Sequence, residues 1–185
     1  MPRGSIELTN ARKDEIISAC ASLYETMSFK DITIKEISER TTFKRAAIYN
    51  YFQTKEEIFL ALLQREYELW ADELNSVIEN NEKMTSDEIA QMLAHSLEKR
   101  QRMLKLFSMN HFDMEANSRL ENLTEFKAAY GKSINVVENV LKNSVPICQK
   151  RLVRILFIHS FRLYTEFILT RSLLKNNVRQ WNKQT

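Results

Sequence analysis

The 185-residue sequence predicts an all-α fold, and three observations carry that prediction. Glycine and proline occur twice each, too few for the tight turns of a multistranded sheet or for a phosphate-cradling glycine loop. Apolar residues recur three and four apart along most of the chain, the stripe of an amphipathic helix. Thr33 with Glu36, and Thr54 with Glu57, place a capping hydroxyl three residues before a carboxylate, the signature of a helix start. With 44% hydrophobic and 28% charged residues the chain has enough apolar material for a packed core, which argues against disorder.

The elements follow in order. Asn10–Met27 is expected to form the first helix, with Ile16, Ile17, Cys20, Leu23 and Tyr24 inward. Thr33 caps a second, in which Ile34, Ile37 and Ser38 face their neighbours. After Arg40 the chain turns, and Lys44–Phe52 is the third helix, with Ile48 and Phe52 toward the core. Thr54 caps a fourth that runs to about Ile78 through Ile58, Phe59, Leu62, Leu63, Tyr67, Trp70, Leu74 and Val77. Asn80–Thr85 is a polar break, and Ser86 caps the next helix, around Ile89, Met92, Leu93 and Leu97. A short helix covers about Arg102–Met109, and Asn110–Ser118 reads as a loop or bent connection. Leu120, Leu123, Phe126, Tyr130, Ile134, Val137 and Leu141 then step by three and four as a long helix. Gly131 inside it fits either a close helix crossing or a kink. Asn143–Pro146 ends this helix, and Ile147–Leu174 is the last. That final helix is apolar on more than one face, so one face meets its own domain. The other meets a second copy in a two-fold bundle, or else the helix is wrapped by its own chain.

Net charge is +3, and residues 1–57 hold nine lysines and arginines against nine acids. Affinity for nucleic acid must therefore come from where charges stand, not from their sum. Cys20 and Cys148 read as two buried free thiols in a reducing cytosol. The N-terminus lacks an apolar run, so no secretory signal is expected. The apolar stretch Leu152–Leu174 is interrupted by Arg154, His159, Arg162, Glu166 and Arg171, short of the ~18 apolar residues a membrane span needs. A cytoplasmic protein is expected.

Lys44–Tyr51 has the make-up of a major-groove reader. Such a helix needs a slim approach side, polar groups aimed at base edges, and flanking donors for phosphates. Ala46 and Ala47 keep the approach slim, and Ala47 suits a thymine methyl. Lys44 and Arg45 open the helix, Arg45 suited to a bidentate pair with guanine, while Tyr49, Asn50 and Tyr51 are polar-tipped residues on its outer side. Lys35 belongs to the same basic surface. Lys55 sits in the first turn of the following helix, against the dipole, a position that makes sense if a phosphate docks there. Arg3, Arg12 and Lys13 form either a DNA-reaching arm or a solvated tail.

The run Ile37-Ser38-Glu39-Arg40, with Ile48-Tyr49-Asn50-Tyr51-Phe52-Gln53-Thr54-Lys55-Glu56-Glu57-Ile58, resembles the signature of the tetracycline-repressor (TetR) family. The resemblance covers about residues 12–60. It implies an N-terminal three-helix helix-turn-helix DNA-binding domain, residues 1–57, and a C-terminal helical effector-binding and dimerisation domain, residues 58–185. It further implies a homodimer, joined through the C-terminal helices, on a palindromic double-stranded DNA operator. Tyr49, Tyr51, Lys55 and the cap Thr33 would hold phosphates, and Arg45, Ala47 and Lys44 would read bases. Two departures stand out: Thr42 replaces the usual glycine of the turn, and Lys44 the usual small polar residue opening the reading helix.

Proteins of this family are commonly repressors, released from DNA by a small molecule bound among the C-terminal helices. The methionines and aromatics of residues 84–170 suit either an adaptable apolar pocket or an ordinary core. Met92, His95, Phe107, His111, Tyr130 and His159 are the candidate effector contacts. The three histidines lack metal-ligand spacing, so no metal and no cofactor are expected. The chain carries no His-Glu-x-x-His, no Cys-x-x-Cys and no nucleophile elbow, and an enzyme is not expected. The alternative function is a helical ligand-sensing or protein-interaction module that has lost DNA binding.

Overall fold

The computed structural model of the chain describes residues 3–80, 84–107, 109 and 111–142, and every regular element among them is helical. The helices are α1 (Arg3–Thr26), α2 (Ile34–Ser38), α3 (Arg45–Ile48), α4 (Lys55–Glu79), α5 (Ser86–Glu98), α6 (Gln101–Phe107), α7 (His111–Ala116) and α8 (Leu120–Lys142).

Two compact units divide the chain, the cut falling within α4 and within α8. The first unit comprises residues 1–68 and 110–131. Its centre is Phe59, fully buried, which receives ring edges from Tyr24 at 5.2 Å and Phe29 at 4.8 Å. The same unit also buries Ile16, Cys20, Ile32, Ile37, Ile48, Phe52, Ile58, Leu62 and Leu63, each inaccessible or nearly so. Burying one such side chain stabilises by about 1.5–3 kcal/mol, so this cluster outweighs any single polar contact of the unit. Burial pushes the Cys20 thiol up to about 12, which makes it an inert core residue.

The second unit comprises residues 69–109 and 132–185. Trp70 is fully buried, and its indole N–H donates to Ser96 Oγ at 3.0 Å; the hydroxyl in turn donates to the Leu93 carbonyl at 2.8 Å. An indole can enter a core at little cost only if its N–H finds an acceptor, and Ser96 is that acceptor. Met103, Leu104, Leu106 and Phe107 of α6 and Ile134, Val136, Val137 and Val140 of α8 supply further buried apolar surface.

Several expectations need correction. α1 begins at Arg3, seven residues before the expected start, because nothing in residues 3–9 forces a break; Ile6 and Leu8 there remain exposed. Thr85, not Ser86, caps α5, since its hydroxyl accepts from the Glu88 N–H while Glu88 reaches back to the Thr85 N–H in a full capping box. The expected loop 110–118 contains α7. A Cβ built on Gly131 meets nothing within 4 Å and α8 runs through it, so no close crossing among the described residues requires that glycine. The expected last helix Ile147–Leu174, with Cys148, His159 and the proposed dimer face, lies outside the described residues. Among the described residues no helix is long and apolar enough to cross a membrane.

Candidate nucleic-acid interface

The turn between α2 and α3 is built without glycine. Thr41 Oγ1 lies 3.0 Å from both the Ser38 and Phe43 carbonyl oxygens. Thr42 is clamped from α1: its backbone N–H donates to one carboxylate oxygen of Glu15, and its hydroxyl donates to the other at 3.1 Å. The Thr42 N–H, and after it the hydroxyl, hold the Glu15 carboxyl below its ordinary range. No described non-glycine residue has positive φ, so Thr42 is accommodated without strain.

Lys44 is the N-cap of α3 in extended conformation, and its side chain makes no capping bond. The ammonium is free to reach outward. Ile48 is the one buried residue of α3, while Lys44, Arg45, Ala46, Tyr49 and Asn50 are exposed and Ala47 is half-buried. Arg45 Nη2 donates to Tyr49 Oη at 3.2 Å, one turn along the same face. That contact uses the phenol oxygen as acceptor and leaves its proton for another partner. Tyr51 is half-buried, its ring 6.4 Å from that of Phe43, which in turn carries the Arg12 guanidinium at 4.6 Å. The Arg12 side chain is thus stacked on the turn.

Thr33 and Lys35 lie on α2. Thr33 accepts from the N–H groups of Lys35 and Glu36, with Glu36 returning to the Thr33 N–H at 2.9 Å. Lys35 is exposed and faces Glu39 at 3.9 Å, a weak surface pair. Lys55 departs from the reason given for it. Its ammonium donates to the Phe29 carbonyl at 2.9 Å and the Ile32 carbonyl at 3.3 Å, and lies 4.2 Å from the centroid of the Phe29 ring. The cation at the start of α4 thus has partners inside the protein, the carbonyls that follow α1.

Three residues the sequence reading did not assign hold this surface in place. Glu15 holds the turn. Glu57, 1% exposed, accepts from the Gln53 N–H at 2.7 Å. Arg119, in the connection between α7 and α8, donates from Nε to Glu57 Oε1 at 2.8 Å and from Nη2 to Glu57 Oε2 at 3.0 Å. Its Nη2 also reaches the Tyr51 carbonyl at 2.7 Å, and its backbone N–H meets Glu57 Oε1 at 2.9 Å. Burial alone would raise the Glu57 pKa, but the side-chain and backbone bonds from Arg119 and the Gln53 N–H bring it below the ordinary value. Glu57 carried a visible signal as the fourth residue of Thr54-x-x-Glu57; Arg119, between the expected loop 110–118 and the helix beginning at Leu120, carried none.

Four of the six candidate effector residues, Met92, His95, Phe107 and Tyr130, have described side chains. Met92 is half-buried, and Phe107 is buried in the second unit. His95, in that unit too, is exposed and lies 3.5 Å from Glu98. Tyr130 belongs to the first unit, edge-on to Tyr67 at 5.4 Å. The His111 side chain and all of His159 lie outside the described residues. Two adjoining clefts in the first unit, of about 400 and 450 Å³, share Lys13, Asn122 and Glu125; none of the six lines either.

Comparison with known proteins agrees with this geometry. The family model described as "Bacterial regulatory proteins, tetR family" matches residues 16–62. That described as "Tetracyclin repressor-like, C-terminal domain" matches residues 64–160, more than half of the chain. Two solved structures share the fold. One is the fatty acid degradation regulator FadR from Bacillus halodurans, 15% identical, TM-score 0.62, covering 87% of this chain and 86% of that one. The other is a protein of Clostridium perfringens described as a fatty acid metabolism regulator, 21% identical, TM-score 0.57, covering 85% and 87%. Among curated proteins none matches by sequence. The chain belongs to the TetR family of transcriptional regulators.

Proposed function

We propose that this TetR-family regulator binds a palindromic double-stranded DNA operator as a homodimer, represses from it, and is released by a small-molecule effector. The supporting observation is the make-up of α3, which buries Ile48 and turns Lys44, Arg45, Ala46, Tyr49 and Asn50 outward. Arg45, steadied by Tyr49, reads guanine with the rest of its guanidinium; Ala47 meets a thymine methyl and Lys44 a base edge or phosphate. Tyr49, Asn50, Tyr51, Thr33 and Lys35 hold the phosphate backbone. Lys55 we assign to holding α4 on the end of α1, in place of a phosphate contact.

Residues 1–57 carry the reading elements and residues 58–185 effector binding and dimerisation. This division of labour differs from the packing units, which add residues 58–68 and 110–131 to the N-terminal part. Dimerisation is assigned to the C-terminal helices, with the heads about 34–36 Å apart to meet successive major grooves. An effector acts by preferring one of two head separations, transmitted along α4. The fold shared with two regulators named for fatty acid metabolism makes fatty acids the first effectors to screen.

The test is Arg45→Ala. Against a selected operator it should cost roughly 1–3 kcal/mol and relax specificity at one base pair per half-site. On random duplex the loss should be that of one phosphate-range charge. Equal losses on operator and random DNA would contradict the assignment.

A further inference from the structure

α3 has four residues and a single buried side chain, so neither its own hydrogen bonds nor its burial can fix its direction. What fixes it must act on its two ends. The N-terminal end is held from α1, through Glu15 on Thr42. Beyond the C-terminal end the chain keeps a helical path, with the N–H groups of Tyr51 and Phe52 both on the Ile48 carbonyl at 2.9 and 3.0 Å. The carbonyls of such a last turn have no intrahelical partner. One of them, that of Tyr51, is taken by Arg119 at 2.7 Å.

The same guanidinium grips Glu57 with Nε and Nη2, and Glu57 sits in the first turn of α4. A neighbouring bond repeats the link: Thr54 Oγ1 donates to the Asn117 carbonyl at 2.9 Å. The connection 117–119 therefore clips both sides of the corner between α3 and α4, from more than sixty residues away in sequence. A planar fork suits this task, because its donors are fixed relative to one another and can bond a carboxylate and a carbonyl at once. An ion pair between a buried carboxylate and a guanidinium that is 38% exposed is a poor source of net stability but a good source of direction.

We infer that Arg119 is a positioning residue for DNA reading: it sets the C-terminal end of α3, and with it the angle at which Arg45 and Tyr49 meet the groove. Residues 110–131 are then a working part of the reading head, although the family model that covers them is the C-terminal one. The inference rests on the DNA-reading proposal for its functional consequence, but its structural half stands without DNA.

Two measurements on the full-length chain separate these. The first is amide exchange by mass spectrometry over residues 44–53, with residues 14–24 of α1 as internal control. The second is affinity for a selected operator and for random duplex at one salt concentration. Arg119→Lys, which keeps the charge and loses the fork, should speed exchange at 44–53 by roughly tenfold while leaving 14–24 nearly unchanged. It should weaken operator binding by roughly tenfold and random-duplex binding much less, because unspecific binding tolerates a misdirected helix. If Arg119→Lys does not fold, Glu57→Gln, which keeps volume and the Tyr51 bond, should shift both readouts in the same sense to a smaller extent. Unchanged exchange at 44–53, or equal acceleration of both segments with equal loss on both DNAs, would overturn the inference. Failure of the wild-type chain to select any operator would instead remove the DNA-reading proposal, while the exchange result would still decide the clamp.

Discussion

α3 and α6 are both short helices, and they are held in opposite ways. α6 buries Met103, Leu104, Leu106 and Phe107 of its seven residues, so apolar packing dictates its position. α3 buries Ile48 alone and is held by directional bonds at its flanks, from Glu15 on one side and Arg119 on the other. A helix that must show most of its surface to a partner cannot also be oriented by burying that surface. Polar clamps on the adjoining backbone resolve the conflict, and they place the residues that matter for α3 outside α3. In a helix held by burial the important residues are its own.

The comparison breaks most visibly under truncation. Phe107→Ala should cost about 3–5 kcal/mol in urea unfolding, and a loss below about 1 kcal/mol would mean that burial does not hold α6. Next in size is Lys55→Met, which removes the ammonium from the Phe29 and Ile32 carbonyls while keeping the apolar stem. It should cost about 1–3 kcal/mol of stability and leave the salt dependence of DNA binding unchanged. A flatter salt dependence with unaltered stability would return Lys55 to the phosphate backbone. Thr33→Ala removes the cap of α2, for about 0.5–2 kcal/mol. Because Thr33 is also assigned to a phosphate, Thr33→Ser, which keeps the hydroxyl, should restore both stability and affinity.

The last effect is confined to acid. Glu57 has a folded pKa below its ordinary value of 4.5, so its contribution is complete above that value and is lost as pH falls through the folded pKa. The stability difference between wild type and Glu57→Gln, followed by urea midpoint, should therefore be constant above about pH 5 and shrink below pH 4.5. A difference that grows on acidification would contradict the Arg119–Glu57 pairing.

What the sequence displayed follows the same division. Long helices announce themselves through apolar periodicity, and α4 and α8 lie within a residue or two of where the stripe puts them. The cap hydroxyls of Thr33 and Thr54 were legible because a cap is local, although Glu57 takes the Gln53 N–H and not that of Thr54. The outward residues of α3 were legible through a family signature. Clamps are not local: Glu15 to Thr42 spans 27 residues and Glu57 to Arg119 spans 62, and nothing in residue type marks either pair. Lys55 shows the converse case. A cation against a helix dipole was a sound anomaly to notice, but its partners, the carbonyls of Phe29 and Ile32, come from a chain reversal that no spacing rule reveals. Residue type marks the candidate effector contacts, and type does not distinguish Phe107, which is buried, from His95, which is exposed.

The central claim, a dimeric reader of an inverted repeat, is tested most directly by selecting binding sites from a random duplex library with the purified full-length chain at fixed salt. Enrichment of a palindrome is expected, its half-site centres about one helical turn, 10–10.5 base pairs, apart or a multiple of it. A folded, dimeric protein that enriches no sequence, or enriches a single unrepeated site, would contradict it.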